Sequence, residues 1–347
     1  MTSNSTLTYS SYAYADCDVA AKMMAHNWWS VVRIAQVVFS LISLVTLPFL
    51  ALYFKRHHMI FHRNLSLLVI NVFFLYVIEC LDTLVIHLRY IILYYIAENP
   101  CEFLTEVWLV VVLRLPAYVY LIAFTLVHCA IAAERAWATY CAKHYEKVGC
   151  TFGVVSTILV WTITFALSFY IVLTALREFG KNGKPLLFLI LTTPENSYVV
   201  NYMHCVLLFL VFMTTIVDYL VISQNRKYRH RLKHSGYSLS MNFQLRENII
   251  TMKLILPLDI FFTIIFTVYL IAATFMRFTY SFSITITPID YMFGYELINA
   301  LFPLHTMATL LLYMRYIKYH EASRVVKIVP TDLHKEIYFR QLQSEWS

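Results

Sequence analysis

Charged side chains stand inside long apolar runs of this chain, and their types and spacing are the first candidates for chemistry. An adjacent acid and arginine, Glu134 and Arg135, close one such run, and Arg114 lies earlier in the same run. A charged group in a bilayer core costs at least about 2.5–3.5 kcal/mol, so each needs a partner, a cavity or a function. No GxSxG, HExxH or phosphate-loop motif occurs, and no histidine has a carboxylate or cysteine at the spacing of a metal site. We therefore expect no enzymatic activity, no cofactor and no metal site.

The second apolar run carries two acids, Glu79 and Asp82, one helical turn apart on one face. Arg114 could pair with either, which would brace two helices or form the polar floor of a ligand cavity. Small-ligand pockets are mostly apolar with a few convergent polar groups. Polar and aromatic residues of other runs complete the candidate set for this pocket: Trp108, Tyr118, Glu296 and Asn299.

Two further acids, Asp218 and Asp259, both lie in the halves of the fifth and sixth runs that are predicted to be cytoplasmic. They could meet Arg135 or the basic loops, as part of a switch with Glu134. The alternative is that each only hydrogen-bonds between helices or reaches the membrane interface.

Seven apolar runs organise the chain, and each can cross a bilayer core of about 30 Å at 1.5 Å per residue. Lipid offers no hydrogen bonds to a backbone, so each run must form a helix. With 60% hydrophobic and 14% charged residues, the chain cannot be a soluble domain. We predict an all-α membrane protein with tails at 1–27 and 315–347 flanking a seven-helix domain at 28–314. The predicted spans are Trp28–Phe54, Leu65–Ile86, Leu104–Ala133, Phe152–Leu176, Val199–Ile222, Leu254–Met276 and Tyr291–Met314.

Lysine and arginine predict the orientation of these spans, because cytoplasmic loops are enriched in both. Nineteen fall on the side of the C-terminus and six on the side of the N-terminus. We expect the N-terminus outside and the C-terminus in the cytoplasm. Asn4 heads an Asn-Ser-Thr acceptor for glycosylation on the outer side. The basic residues of the inner side face anionic lipid, and no nucleic-acid partner is expected.

Three cysteines face the predicted outer, oxidising side: Cys17, Cys101 and Cys205. We expect a disulfide among them, with Cys101 as one member. The sequence does not identify its partner, and the alternative is that all three cysteines are free. The outer loop 177–198 holds no cysteine, so it cannot be stapled to the third span unless Cys205 takes part.

Several stretches resemble nematode serpentine chemoreceptors of the Sra superfamily, most closely the Srab class with Sra and Sre as neighbours. The stretch His128-Cys-Ala-Ile-Ala-Ala-Glu134-Arg135-Ala-Trp-Ala-Thr139-Tyr140, followed by Tyr145-Glu146-Lys147, carries much of the likeness. A second is Tyr237-Ser-Leu-Ser-Met-Asn-Phe243-Gln244-Leu-Arg-Glu247-Asn248-Ile249. Shorter ones are Phe61-His62-Arg63-Asn64-Leu65, Pro100-Cys101-Glu102-Phe103-Leu104 and Arg114-Leu115-Pro116. The resemblance covers residues from about 17 to about 320.

The resemblance implies a G-protein-coupled chemosensory receptor for olfaction or a related sense. Its partners would be a small odorant or metabolite, bound in the outer half of the bundle, and a heterotrimeric G protein. Glu134 and Arg135 would form the ionic pair that holds the inner face closed. Such receptors are multi-pass plasma-membrane proteins, typically of sensory-neuron cilia. The seventh span lacks an NPxxY motif, so activation details of rhodopsin-like receptors are not transferred.

An alternative class is a seven-span ligand-gated cation channel. Such channels place the N-terminus inside the cell, and the distribution of basic residues counts against that orientation.

Overall fold

Helices account for nearly all of the computed structural model, which describes residues 17–24, 26–56, 62–141, 145, 149–180, 185–187, 189–193, 195–232, 239–282 and 288–328. Nine α-helices are described. They are α1 Cys17–Met24, α2 Asn27–Arg56, α3 Arg63–Ile96, α4 Val107–Tyr140, α5 Thr151–Gly180, α6 Ser197–Leu232, α7 Leu239–Phe282, α8 Pro288–Asn299 and α9 Leu301–Ile328. A 3₁₀ turn, Pro100–Phe103, joins α3 to α4.

Seven membrane-spanning stretches are found in the described residues, which confirms the predicted seven-helix class. They lie in α2 to α7 and, for the seventh, in α8 and α9 together. Several helices run beyond the apolar core. The predicted loop 223–253 is mostly helical, because α6 continues to Leu232 and α7 begins at Leu239. Arginine, lysine, glutamine and glutamate favour helix as well as leucine does, so hydropathy marks the membrane core but not the helix end.

Helix α9 runs beyond the predicted end of the seventh span at Met314 and continues without interruption from Leu301 to Ile328.

The third span, α4, lies at the centre of the bundle. Its neighbours are α3, α5, α6 and α7, while α9 packs against α2 and closes the ring. Two thirds of the most apolar stretch of α4 are buried, against one third in α2, α5 and α6. Side chains of α4 are therefore the ones placed to meet residues of several other helices.

The seventh span is divided at Ala300, between α8 and α9. Pro303 explains the break, because proline donates no backbone hydrogen bond and its ring crowds the carbonyl of the residue four positions earlier, Asn299. The chain keeps its direction through two bonds around the break, from Ala300 N to Glu296 O at 3.1 Å and from Leu304 N to Ala300 O at 3.3 Å.

Candidate functional site

A disulfide ties the N-terminal helix to one end of the bundle, named here the disulfide end. Cys17 of α1 is bonded to Cys101 of the 3₁₀ turn, 84 residues later. Ala20 and Met23 of α1 are buried against the bundle. Cys205, the third candidate, is exposed and free. The structure thus supplies the partner of Cys101 that the sequence left open.

The plug segment, residues 185–187 and 189–193, enters the bundle at this end without a disulfide. A β-bridge holds it to the start of α4, with Thr105 N donating to Leu186 O at 2.7 Å and Leu186 N to Thr105 O at 2.8 Å. The side chains of Leu186, Leu187, Leu189 and Leu191 are all buried. The loop 177–198 has no cysteine, so no disulfide can hold it to α4. Apolar burial and backbone hydrogen bonds hold the plug segment instead.

A polar cavity of about 60 Å³ lies below the plug segment, and a smaller one of about 20 Å³ adjoins it. Arg114 and Tyr295 belong to the walls of both. Most of the predicted pocket residues meet here, because the larger cavity is lined by Glu79, Asp82, Arg114, Tyr118 and Asn299, with Gln36, His87, Tyr120, Tyr269 and Phe302 among the others.

Arg114 is held differently from the sequence-based expectation. Its Nε donates to Leu189 O of the plug segment at 2.7 Å, and its Nη2 lies 3.9 Å from Glu296 Oε2. Among the described residues Arg114 forms no salt bridge within 4.0 Å with Glu79 or Asp82, although Asp82 is near enough for electrostatic attraction. Glu296 also meets His87, whose Nδ1 is 3.2 Å from Glu296 Oε1. The seventh span thus supplies the acid that lies nearest to Arg114, and it is linked to the second span through His87.

Two other predicted pocket residues, Tyr118 and Trp108, differ in where their side chains lie. Tyr118 OH lies 3.0 Å from Thr192 Oγ1, which links α4 to the plug segment. Trp108 is 60% exposed and donates to Glu106. As a pocket residue Trp108 is thus a wrong prediction, since its position near the start of α4 turns it away from the bundle.

A second polar group lies between the cavity and the opposite end. His128 Nδ1 contacts the carboxylate of Asp259, and fully buried Asp218 lies beside that carboxylate. These residues join α4, α6 and α7. Neither acid contacts Arg135 among the described residues, so the expected meeting is not observed. Asp259 instead forms a hydrogen bond between helices, which was the alternative expectation.

Arg135 and Glu134 form a buried pair at the end opposite the disulfide, named here the Arg135 end. Glu134 is 0% exposed and Arg135 is 2% exposed. The guanidinium donates through Nε to Glu134 Oε2 and through Nη2 to Glu134 Oε1 at 2.6 Å. A paired, bidentate geometry is the arrangement in which an arginine tolerates burial best.

Two asparagines connect this pair to other helices. Arg135 Nη1 donates to Asn248 Oδ1 of α7 at 3.3 Å, and Asn248 Nδ2 donates to Thr139 Oγ1 at 2.7 Å. Asn225 Nδ2 of α6 donates to the same hydroxyl at 2.9 Å. At the Arg135 end, α4, α6 and α7 are thus joined through one small polar network.

Tyr145 completes the network from the loop after α4. Its hydroxyl donates to Glu134 Oε1, and its ring lies 4.3 Å from the His62 ring, centroid to centroid. Burial, with the negative charge of Glu134, raises the pKa of Tyr145 above its ordinary value. The phenol is therefore protonated at neutral pH and remains a donor.

Comparison with known proteins fits these observations. Residues 14–347 match the family described as "Serpentine type 7TM GPCR receptor class ab chemoreceptor". The chain belongs to this family. The resemblance noted in the sequence is confirmed, including its class.

Two relatives from Caenorhabditis elegans illustrate the distance. "Serpentine receptor class alpha-39" is 25% identical over 185 residues, 52% of this chain and 47% of that protein. "Serpentine receptor class alpha/beta-14" is 24% identical over 249 residues, 71% of this chain and 63% of that protein. The chain spans about half to two thirds of the length of these curated relatives.

Several residues of this serpentine receptor's site escaped the sequence analysis. Asn248 and Tyr145 were noted only as parts of a resemblance, and His128 and Gln36 were given no contact. For Gln36 a signal was available, because it is an amide inside a predicted span and an amide in lipid needs partners. Asn248 lies outside the predicted spans, so this signal does not apply to it. Asn4, the predicted glycosylation site, lies outside the described residues.

Proposed function

We propose that this serpentine receptor is a G-protein-coupled chemosensory receptor. A small external ligand binds in the cavity at the disulfide end, and the Arg135 end then activates a cytoplasmic G protein. The observation that carries the proposal is the burial of Glu134 and Arg135, with a hydrogen bond from Arg135 to α7. The bond from Arg135 to Asn248 joins two helices, and such a contact is a two-state element whose equilibrium a ligand can bias.

The two ends communicate through α4 in this proposal. That helix carries Arg114 at the cavity, His128 midway and Arg135 at the opposite end. Arg114 holds the plug segment and His128 meets Asp259 of α7. Ligand binding that displaces α4 or α7 would weaken the bond between Arg135 and Asn248, which frees the guanidinium for the G protein. Basic residues of α6 outside the apolar core add electrostatic attraction for that partner.

The experiment is nucleotide exchange on a G protein in membranes that carry the receptor, with pooled volatile and water-soluble metabolites applied. Arg135→Ala should abolish ligand-driven exchange while surface expression is retained. Arg177→Ala is the matched control, because Arg177 is an exposed arginine of α5, a helix that has no part in the proposed contact with the G protein. Unchanged ligand-driven exchange in Arg135→Ala would sink the switching role. A ligand-gated conductance without exchange would favour the channel class instead.

The orientation belongs to the same proposal, with the N-terminus outside the plasma membrane of a sensory cilium. It is supported by the disulfide between Cys17 and Cys101, since such bonds persist on the oxidising side. Glycosylation of Asn4 tests it: Asn4→Gln should abolish a glycosidase-sensitive mobility shift. Absence of that shift in the parent protein would remove this support.

A further inference from the structure

The larger cavity has an acidic side that no basic group contacts directly. Among the described residues Asp82 is in no salt bridge within 4.0 Å, and Arg114 attracts it only from a greater distance. The carboxylate of Glu79 accepts from Thr83 Oγ1 at 3.2 Å and from Cys80 Sγ at 3.5 Å. Neither acid has a basic nitrogen within 4.0 Å in the part of the chain that is described. Both nevertheless line the cavity.

The arginines nearby already have partners. Arg114 is bound to Leu189 O and to Glu296. Arg33, 7% exposed, lies with its guanidinium carbon 4.1 Å from the Tyr90 ring centroid. The two adjoining cavities hold three carboxyl groups, those of Glu79, Asp82 and Glu296, and two guanidiniums. Acidic groups therefore outnumber arginines by one, which favours a cationic ligand.

Buried polar groups face the same space. Gln36 and Tyr120 are each 2% exposed and line the cavity. Gln36 Nε2 has no hydrogen-bond partner among the described residues, and Tyr120 OH has only the Thr306 hydroxyl beside it. Buried polar groups of folded proteins are normally paired, so the unpaired amide of Gln36 indicates a bound polar group.

Aromatic rings form much of the remaining wall. Tyr118, Tyr269, Tyr295 and Phe302 all line the cavity together with Tyr120. Cations are attracted to the faces of such rings, and organic ammonium ions are recognised by aromatic cages. A carboxylate ligand would instead meet two acids and the negative faces of these rings.

We propose that this cavity binds a small organic ammonium ion, with the ammonium group beside Glu79 and Asp82 and a second polar atom at Gln36 and Tyr120. The volume of about 60 Å³ limits the ligand to about four water-sized groups, at roughly 15 Å³ each. The inference rests on the proposed function for the site, and it adds the chemical class of the ligand.

Three probes of nearly equal size separate the classes: ethanolamine, ethylene glycol and glycolate. The full-length receptor in lipid nanodiscs is heated with each at up to tens of millimolar, because so small a ligand binds weakly. Ethanolamine should raise the unfolding midpoint in a saturable manner. The neutral diol and the acid should leave the midpoint where it is.

Charge-removing variants locate the site. Asp82→Asn and Glu79→Gln should each weaken ethanolamine binding by at least about tenfold, the loss expected when a charge-assisted hydrogen bond becomes a neutral one. Glu98→Gln is the matched control, because Glu98 is exposed just beyond α3 at the same end. The midpoint of each variant without ligand shows whether it is folded.

Three results would overturn the inference: glycolate stabilising more than ethanolamine, unchanged ethanolamine binding in both variants, or no stabilisation by ethanolamine or n-propylamine. Nucleotide exchange measured on the same samples keeps the two proposals apart. Ammonium binding without exchange would leave this inference standing and contradict the proposed function. Exchange driven only by acids or neutral molecules would do the reverse.

Discussion

Arg135 has two kinds of partner, and they differ in what they hold together. Glu134 is its neighbour on the same helix, so that pair stays together wherever α4 moves. Asn248 lies on α7, and its bond to Arg135 depends on how the two helices are placed. The asparagine, rather than the acid, therefore links Arg135 to another helix, and in the proposed switch its bond is the one that must break.

We predict that Asn248→Ala raises ligand-independent nucleotide exchange several-fold. A hydrogen bond to a charged group contributes about 1.5–3 kcal/mol, and 1.4 kcal/mol changes an equilibrium tenfold. Exchange in membranes without added ligand measures the effect. Gln224→Ala, an exposed amide on α6, is the control. Basal exchange equal to that of the parent would contradict the role of Asn248.

Tyr145→Phe should lower the stability of the receptor by about 1 kcal/mol, because it removes the hydroxyl that donates to Glu134. The raised pKa of Tyr145 means that the bond is present below the ordinary tyrosine range and is lost only at more alkaline pH. The difference in thermal midpoint between the two proteins should thus be constant from pH 6 to pH 9. A difference that vanishes at pH 9 would show that the phenol ionises earlier.

Residue types alone predicted the Glu134–Arg135 pair, since an acid beside an arginine in an apolar run has few other uses. Their partners could not be predicted in the same way. Asn248 was placed in a loop because the helix around it is polar, and Tyr145 lies in a short segment with no pattern. The sequence offered Glu79 and Asp82 as ion-pair partners for Arg114. The position of Glu296 beside Arg114 depends on how the helices pack, which residue types do not show.

Helix α5 approaches α3 closely at Gly153. The backbone N–H of Gly153 donates to Asn64 Oδ1 at 3.0 Å, so a side chain of α3 caps the start of α5. A Cβ at Gly153 would lie 2.9 Å from the Asn64 Cα and carbonyl oxygen. This contact is made by backbone atoms, and it fixes how near the two helices lie.

Gly153→Ala should destabilise the receptor by about 1–3 kcal/mol, the usual cost of overpacking, because backbone atoms cannot yield cheaply. Thermal unfolding in detergent or nanodiscs measures the loss. Gly149→Ala is the matched control, since a Cβ there meets nothing within 4 Å. Equal midpoints for the two variants would show that α5 shifts without cost.

At the scale of the molecule, the disulfide closes most of the first three helices into one loop. Cys17→Ser should cost about 2–4 kcal/mol of stability, with the reduced parent protein behaving alike. Cys205→Ser is the control, being an exposed free cysteine. Thermal unfolding with and without reductant checks both. A midpoint that reductant leaves unchanged would show that the bond adds nothing to the membrane-inserted fold.

Hydropathy predicted the number of spans correctly, because the cost of unpaired backbone in lipid leaves one solution for each apolar run. It could not predict that Cys17 meets Cys101, since the three cysteines have equivalent surroundings in sequence. Nor could it predict the break at Ala300, because hydropathy does not register the backbone donor that Pro303 lacks.

Helix α7 has 44 residues and so extends about 66 Å, roughly twice the thickness of a bilayer core. Pro257 stands 18 residues after the beginning of α7 at Leu239, or about 27 Å along the axis. Proline is where a helix bends most readily. A bend of about 10° at that residue would swing Leu239 sideways by about 5 Å. With such a bend the helix would act as a lever. A small shift of packed side chains within the bilayer would displace its N-terminal end by several ångströms.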